Sequence, residues 1–220
     1  MHCAKSQQEP EKRSLVSNPV PRSSRPCLDE PEEGQRPAVP LDTVVTRMLG
    51  IRTILVSGEI DQDVAERAIS QALILDAASH DPIRVIITSQ GGHVDSGYAI
   101  HDVLQYIDSP VITVGAGWVA SIAVPVLLSA EKKNRYSLPN TRFLLHQPSG
   151  GAGGQASDIR IAAEEILKLR ARLNKLIADE TGKNVDQVAD DSDRNFWMSA
   201  EEALAYGLIS RIIKSQRDIG

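Results

Sequence analysis

Ser121 and His146 are candidates for nucleophilic chemistry by residue type and setting. A serine hydroxyl attacks a carbonyl efficiently only when a neighbouring base takes its proton, and imidazole is the usual base. Ser121 ends the glycine-rich turn Gly115-Ala-Gly-Trp-Val-Ala-Ser121 and opens the apolar run Ile122 to Leu128. A structural reading makes it a helix N-cap, a position that favours serine. The chemical reading uses the same place, because backbone N–H groups at a helix start face developing negative charge. His146 follows the apolar run Arg142 to Leu145 and opens a second glycine-rich turn, ending at Gly154. A lone histidine there is more often a surface or hydrogen-bonded core residue, and His93 and His101 compete with it. Composition does not rank the three. In a third turn, Ser89 to Gly97, Gly91 and Gly92 either make a tight bend or let a backbone N–H approach a substrate. That turn does not fit G-x-G-x-x-G, and the phosphate-binding P-loop pattern is absent from the chain.

The elements that must position these turns alternate in type. Thr53 to Val56, Ile83 to Thr88, Val111 to Val114 and Arg142 to Leu145 are short apolar runs of strand character. Asp61 to Ala78, Ser96 to Ile107 and Val119 to Ser129 have helical spacing. Ser157 to Glu180 is a long amphipathic helix, and Ala200 to Tyr206 a short one closed by Gly207. Repeated strand-helix-strand units predict right-handed crossovers and a mainly parallel sheet, in one α/β domain over residues 41–220. In such a sheet the three turns gather at the carboxyl ends of the strands, where sites form.

Seven of the 12 prolines precede residue 41, with few large apolar residues among them. This composition predicts a flexible or processed tail over residues 1–40. Its six acidic residues balance six basic ones, unlike the acid-poor transit peptides. Both cysteines, Cys3 and Cys27, fall in this segment, so the domain has neither a disulfide framework nor cysteine-ligated zinc. That is compatible with a reducing, cytoplasmic setting. A net charge of −5 argues against nucleic acid as a partner. No apolar run reaches the roughly 20 residues of a membrane span.

Taken together, the motifs resemble the ClpP-type serine peptidase family over roughly residues 44–214. The strand-turn motif Asn-Ser-Pro-Gly-Gly of that family appears as Thr88-Ser-Gln-Gly-Gly92, and its Gly-Gln-Ala-Ala-Ser as Gly117-Trp-Val-Ala-Ser121. Leu138-Pro-Asn-Thr-Arg142, His146-Gln-Pro-Ser-Gly-Gly and Gly154-Gln-Ala-Ser-Asp-Ile159 follow in order, then Asp193-Arg-Asn-Phe-Trp-Met-Ser-Ala-Glu-Glu-Ala203. The resemblance implies a ClpP/crotonase-like fold of repeated β-α-β units with a protruding strand-helix handle, whose helix is Ser157 to Glu180. It implies Ser121 as nucleophile and His146 as base, with the N–H groups of Gly92 and Ile122 as oxyanion hole. It implies no cofactor and no metal. It further implies heptameric double rings, inter-ring contacts through Asp193 and Arg194, and unfolded protein substrates delivered by a separate hexameric AAA+ unfoldase.

Several positions depart from the family pattern. Asn195 stands where the family has its third catalytic residue, an aspartate. In a Ser-His-Asp arrangement the same exchange lowers turnover about 10⁴-fold, because an amide favours the wrong histidine tautomer. Asp191 and Asp193 are alternative third members. Trp118 replaces a glutamine, Gln90 a proline and Ala123 a glycine. The expectation is therefore an endopeptidase subunit of reduced independent activity, paired with a paralogue in mixed rings. A catalytically impaired structural subunit is the second reading. A crotonase-like acyl-CoA enzyme is the third, and the His146-Gln-Pro motif and the handle helix disfavour it.

Overall fold

A computed structural model describes residues 41–148 and 153–219, all within one compact unit. The expected tail over residues 1–40 lies outside the described residues, as does Gly150 to Ala152 at the start of the handle. Helix α1 (Leu41–Gly50) leads into strand β1 (Thr53–Ile60), helix α2 (Gln62–Ala78), strand β2 (Ile83–Gly92), helix α3 (Val94–Tyr106) and strand β3 (Val111–Ala120). Helix α4 (Ala123–Leu128), strands β4 (Arg135–Ser137) and β5 (Arg142–Leu145), and helix α5 (Ala156–Thr181) follow. Helix α6 (Val185–Asp191), strand β6 (Phe196–Met198), helix α7 (Ala200–Tyr206) and strand β7 (Arg211–Ile212) complete the order.

The main path of the sheet is β1-β2-β3-β4-β7, parallel throughout, as the repeated crossovers predict. Its branched residues, among them Ile54, Val56, Val85 and Ile87, are buried against the helices. The decisive irregularity is in β3. Its first half, Thr113 to Gly115, pairs with β4, and its second half, Trp118 to Ala120, pairs with β5. Gly117, at a φ of 67°, lies at the switch between partners, in a backbone region that favours glycine. Strand β6 then adds antiparallel to β5.

Three strands run further than their hydrophobic cores suggest. β1 continues through Ser57-Gly58 to Ile60, β2 carries Ser89 to Gly92, and β3 reaches Ala120, where helix was expected from about Val119. Sheet pairing overrides the turn-like composition there, with a register shift in each ladder taking up the irregularity. Helix α4 is correspondingly shorter, and α3 begins two residues before Ser96. The short elements β4, α6, β6 and β7 lack enough residues to set up a period, and α1 is not among the elements read from the sequence although its ten residues are amphipathic. The long helix α5 ends on Gly182 in the left-handed region, and α7 carries a capping box between Ser199 and Glu202. The first half of α5 is largely exposed, with Ile159, Ile161 and Leu167 facing outward.

Candidate active site

Strand β3 delivers Ser121 to the carboxyl edge of the sheet in an unusual conformation. Its φ of 56° is a left-handed value shared only by Arg52 among the described non-glycine residues. Such strain persists where the surroundings over-determine it, and it concentrates at functional sites. Here the surroundings can be named. The Ser121 N–H donates to Leu144 O at 2.9 Å, extending the β3–β5 ladder by one step, and its carbonyl accepts from Val124 N–H at 3.0 Å. The first bond fixes the residue to a strand and the second commits it to a helix. A sharp strand-turn-helix corner results, and it leaves the hydroxyl half-exposed instead of buried like Ala120 and Ile122. Ser121 is thus not the N-cap; Ile122 occupies that position.

The end of β2 packs directly against this corner. A Cβ on Gly91 would lie 2.6 Å from Ser121 Cβ, 2.7 Å from Ala120 O and 3.2 Å from Ile122 N, so no side chain fits there. Gly92 pairs with Ile60, and His93 N–H donates to Ile60 O at 2.7 Å. In a parallel ladder Ile60 bonds to the neighbours of its partner, so the N–H of Gly92 itself is turned away from β1, toward β3. Among the described residues the N–H of Ile122 donates to no backbone carbonyl. Buried Ser89 fixes the β2 end by donating to Gly58 O (2.6 Å) and accepting from Gly91 N–H (3.0 Å). Gly97 on α3 touches the same corner, since a Cβ there would fall 2.2 Å from Ile122 Cγ1. Gly97 shapes the site without being singled out by sequence, whereas Gly91 reads there with Gly92 as a tight bend or an approach for a backbone N–H.

His146 leaves β5 one residue beyond Leu145, beside the end of β3, and is half-buried. The antiparallel register of β5 and β6 ends at Leu145 opposite Phe196, so His146 and Asn195 flank the end of that ladder. Gln147 holds the segment: its N–H donates to Ser192 O (2.9 Å) and its Nε2 to Asp193 O (2.8 Å). The fold therefore gathers Ser121, His146 and Asn195 at the ends of three adjacent strands. Among the described residues no hydrogen bond links their side chains, and Asn195 is exposed.

The competing residues are engaged elsewhere. His93 precedes α3 with Nδ1 2.9 Å from Ser96 Oγ, and His101 is buried on α3 with Nδ1 2.9 Å from Asp102 Oδ1. Asp191 accepts a hydrogen bond from Tyr206 Oη at 2.8 Å, and burial together with this carboxylate raises the Tyr206 phenol above its ordinary range. Asp193 Oδ1 lies 3.2 Å from Arg170 on α5, while Arg194 is 95% exposed and therefore available for contact outside the subunit.

The sequence profile described as Clp protease matches residues 37–216. The chain belongs to the Clp protease family. ATP-dependent Clp protease proteolytic subunit 3 of Rhizobium meliloti is 46% identical over 192 residues, covering 87% of this chain and 98% of that protein. Subunit 2 of the Pseudomonas aeruginosa protease is 46% identical over 171 residues, covering 78% of this chain and 85% of its own. Among solved structures, an Asn-to-Asp mutant of ClpP1 from Listeria monocytogenes is similar with a TM-score of 0.75 and 44% identity. That match covers 80% of this chain and 99% of the Listeria chain. The ClpP fold expected from the motifs is thus the fold observed. No helix among the described residues is long and apolar enough to cross a membrane.

Proposed function

We propose that this Clp family member is a proteolytic subunit of an ATP-dependent protease, acting as a serine endopeptidase on unfolded polypeptides. Ser121 Oγ attacks the peptide carbonyl while the His146 imidazole takes its proton. The resulting oxyanion is received by the N–H groups of Gly92 and Ile122. The imidazolium then protonates the leaving amine, the C–N bond breaks, and water hydrolyses the acyl-enzyme with His146 again as base. The observation that carries this reading is the backbone of Ser121, held at a φ of 56° with Gly91 pressed against it. A serine serving only as a helix cap has no need of that strain.

Asn195 orients His146 without stabilising its charge, so the isolated subunit is slow, and a paralogue in mixed rings supplies the remaining activity. Helix α5 is the handle, and its outward Ile159, Ile161 and Leu167 suit it for contact between heptameric rings. Asp193 and Arg194 add inter-ring contacts, and a separate hexameric AAA+ unfoldase feeds the chamber in the cytoplasm. Purified chain should form rings and cleave small peptides slowly, with cleavage abolished in Ser121→Ala while ring formation persists. Undiminished cleavage by Ser121→Ala rings would refute the assignment. The unlinked side chains of Ser121, His146 and Asn195 favour one second reading, a structural ring subunit without chemistry. That reading predicts wild-type rings in which Ser121 takes up no serine-directed reagent.

A further inference from the structure

Both tryptophans of the chain lie beside the site on one sheet face, with an arginine between them. On β3, β5 and β6, Val119, Phe143 and Met198 point into the core, so their strand neighbours Trp118, Arg142 and Trp197 point outward. Trp118 and Arg142 are register partners, and the Arg142 guanidinium lies 4.2 Å from the centre of the Trp197 ring. Trp118 is 41% and Trp197 38% exposed, and beneath them Ala120 and Leu144 are buried. Among the described residues Arg142 forms no ion pair, and no carboxylate or carbonyl accepts from it.

The patch borders the candidate catalytic residues along the chain. His146 follows the end of β5, which carries Arg142, Asn195 immediately precedes β6, which carries Trp197, and Ser121 follows the end of β3, which carries Trp118. Arg142 is four positions from His146 and Trp118 three from Ser121, separations of roughly 10–13 Å at the rise of a strand. An extended substrate with its scissile carbonyl at Ser121 therefore lays a side chain over the patch about three or four residues away.

Resting on the peptidase reading of Ser121, we propose that Trp118, Arg142 and Trp197 form a subsite selecting substrate segments with an acidic side chain at that distance. Stacking on Trp197 fixes the guanidinium plane while its N–H edge stays open, and that edge fits a carboxylate bidentately. The Trp118 ring covers the methylene stem of a glutamate, and a lysine at the same place is repelled. Trp and Arg are also the residue types that dominate contacts between proteins, so a second copy is the rival occupant.

Because the chain has only two tryptophans, its tryptophan emission, excited selectively over tyrosine, reports on this patch alone. Full-length Ser121→Ala rings are titrated with decapeptides carrying a single Glu, Ala or Lys at successive positions. A Glu three or four residues from the centre should bind about tenfold more tightly than Ala, with a change in emission, and Lys more weakly. Arg142→Glu should reverse that order, and Trp118→Ala should weaken binding of all peptides. Charge-independent binding, no binding, unchanged emission, or an unreversed order in Arg142→Glu would each overturn the subsite. So would rings of Arg142→Gln that fall apart in sedimentation, which would assign the patch to a second copy. Labelling of wild-type Ser121 by a fluorophosphonate, run in parallel, separates the two readings. Its absence removes the peptidase reading, whereas labelling with charge-independent peptide binding removes the subsite alone.

Discussion

Ser121 and Asn195 carry opposite messages at the scale of single residues. Ser121 is held at a left-handed φ of 56°, and such strain has a measurable signature. Glycine accepts a φ of 56° freely, so Ser121→Gly should be more stable than Ser121→Ala by about 1 kcal/mol in denaturant unfolding. Equal stabilities would mean that the left-handed backbone is unstrained. Asn195 lacks the charge that a third catalytic member supplies. Asn195→Asp should therefore raise the peptidase rate substantially at equal ring concentration, by up to about 10⁴-fold where chemistry limits turnover. An unchanged rate, with rings intact and Ser121 still labelling, would transfer the limitation to Trp118 and the approach to the site. Asp191 and Asp193 stood as alternatives on sequence grounds. In the fold Asp191 accepts a hydrogen bond from Tyr206, and Asp193 sits against Arg170.

The elements explain how much of this was legible beforehand. Arg142–Leu145 and Ala200–Tyr206 have the bounds expected, because each combines an apolar pattern with a clear stop. Ser121 and His146 were singled out through their motifs, but their placement at the ends of neighbouring strands depends on β3 changing partners at Gly117. Periodicity has no signal for that. Gly97 looked like an ordinary turn glycine and Gly91 like a tight bend or an approach for a backbone N–H, and only the packing shows Ser121 and Ile122 occupying the space a side chain would take. Gly97→Ala should accordingly destabilise the fold by about 1–3 kcal/mol through overpacking against Ile122, measured by denaturant unfolding. A neutral result would show that α3 shifts freely. Helices α6 and α7 supply a test in pH. The Tyr206 phenol is raised from 10.0, so its contribution to stability is fully present below pH 10 and is lost as pH climbs toward the folded-state value. Tyr206→Phe should flatten the alkaline fall in stability, and an unaltered profile would contradict the Tyr206–Asp191 link.

At the scale of the whole molecule, a mostly parallel sheet with one antiparallel strand brings three strand ends together, and the long helix α5 carries apolar residues outward. In the proposed function the first feature serves chemistry and the second serves assembly. The two separate cleanly, because Ser121 has no side-chain hydrogen bond among the described residues on which packing depends. The most direct measurement treats assembled wild-type and Ser121→Ala rings with a fluorophosphonate and locates the adduct by peptide mass. The account predicts one adduct, on Ser121, absent from Ser121→Ala rings of unchanged mass. An adduct on a different serine, or none in intact wild-type rings, would contradict it.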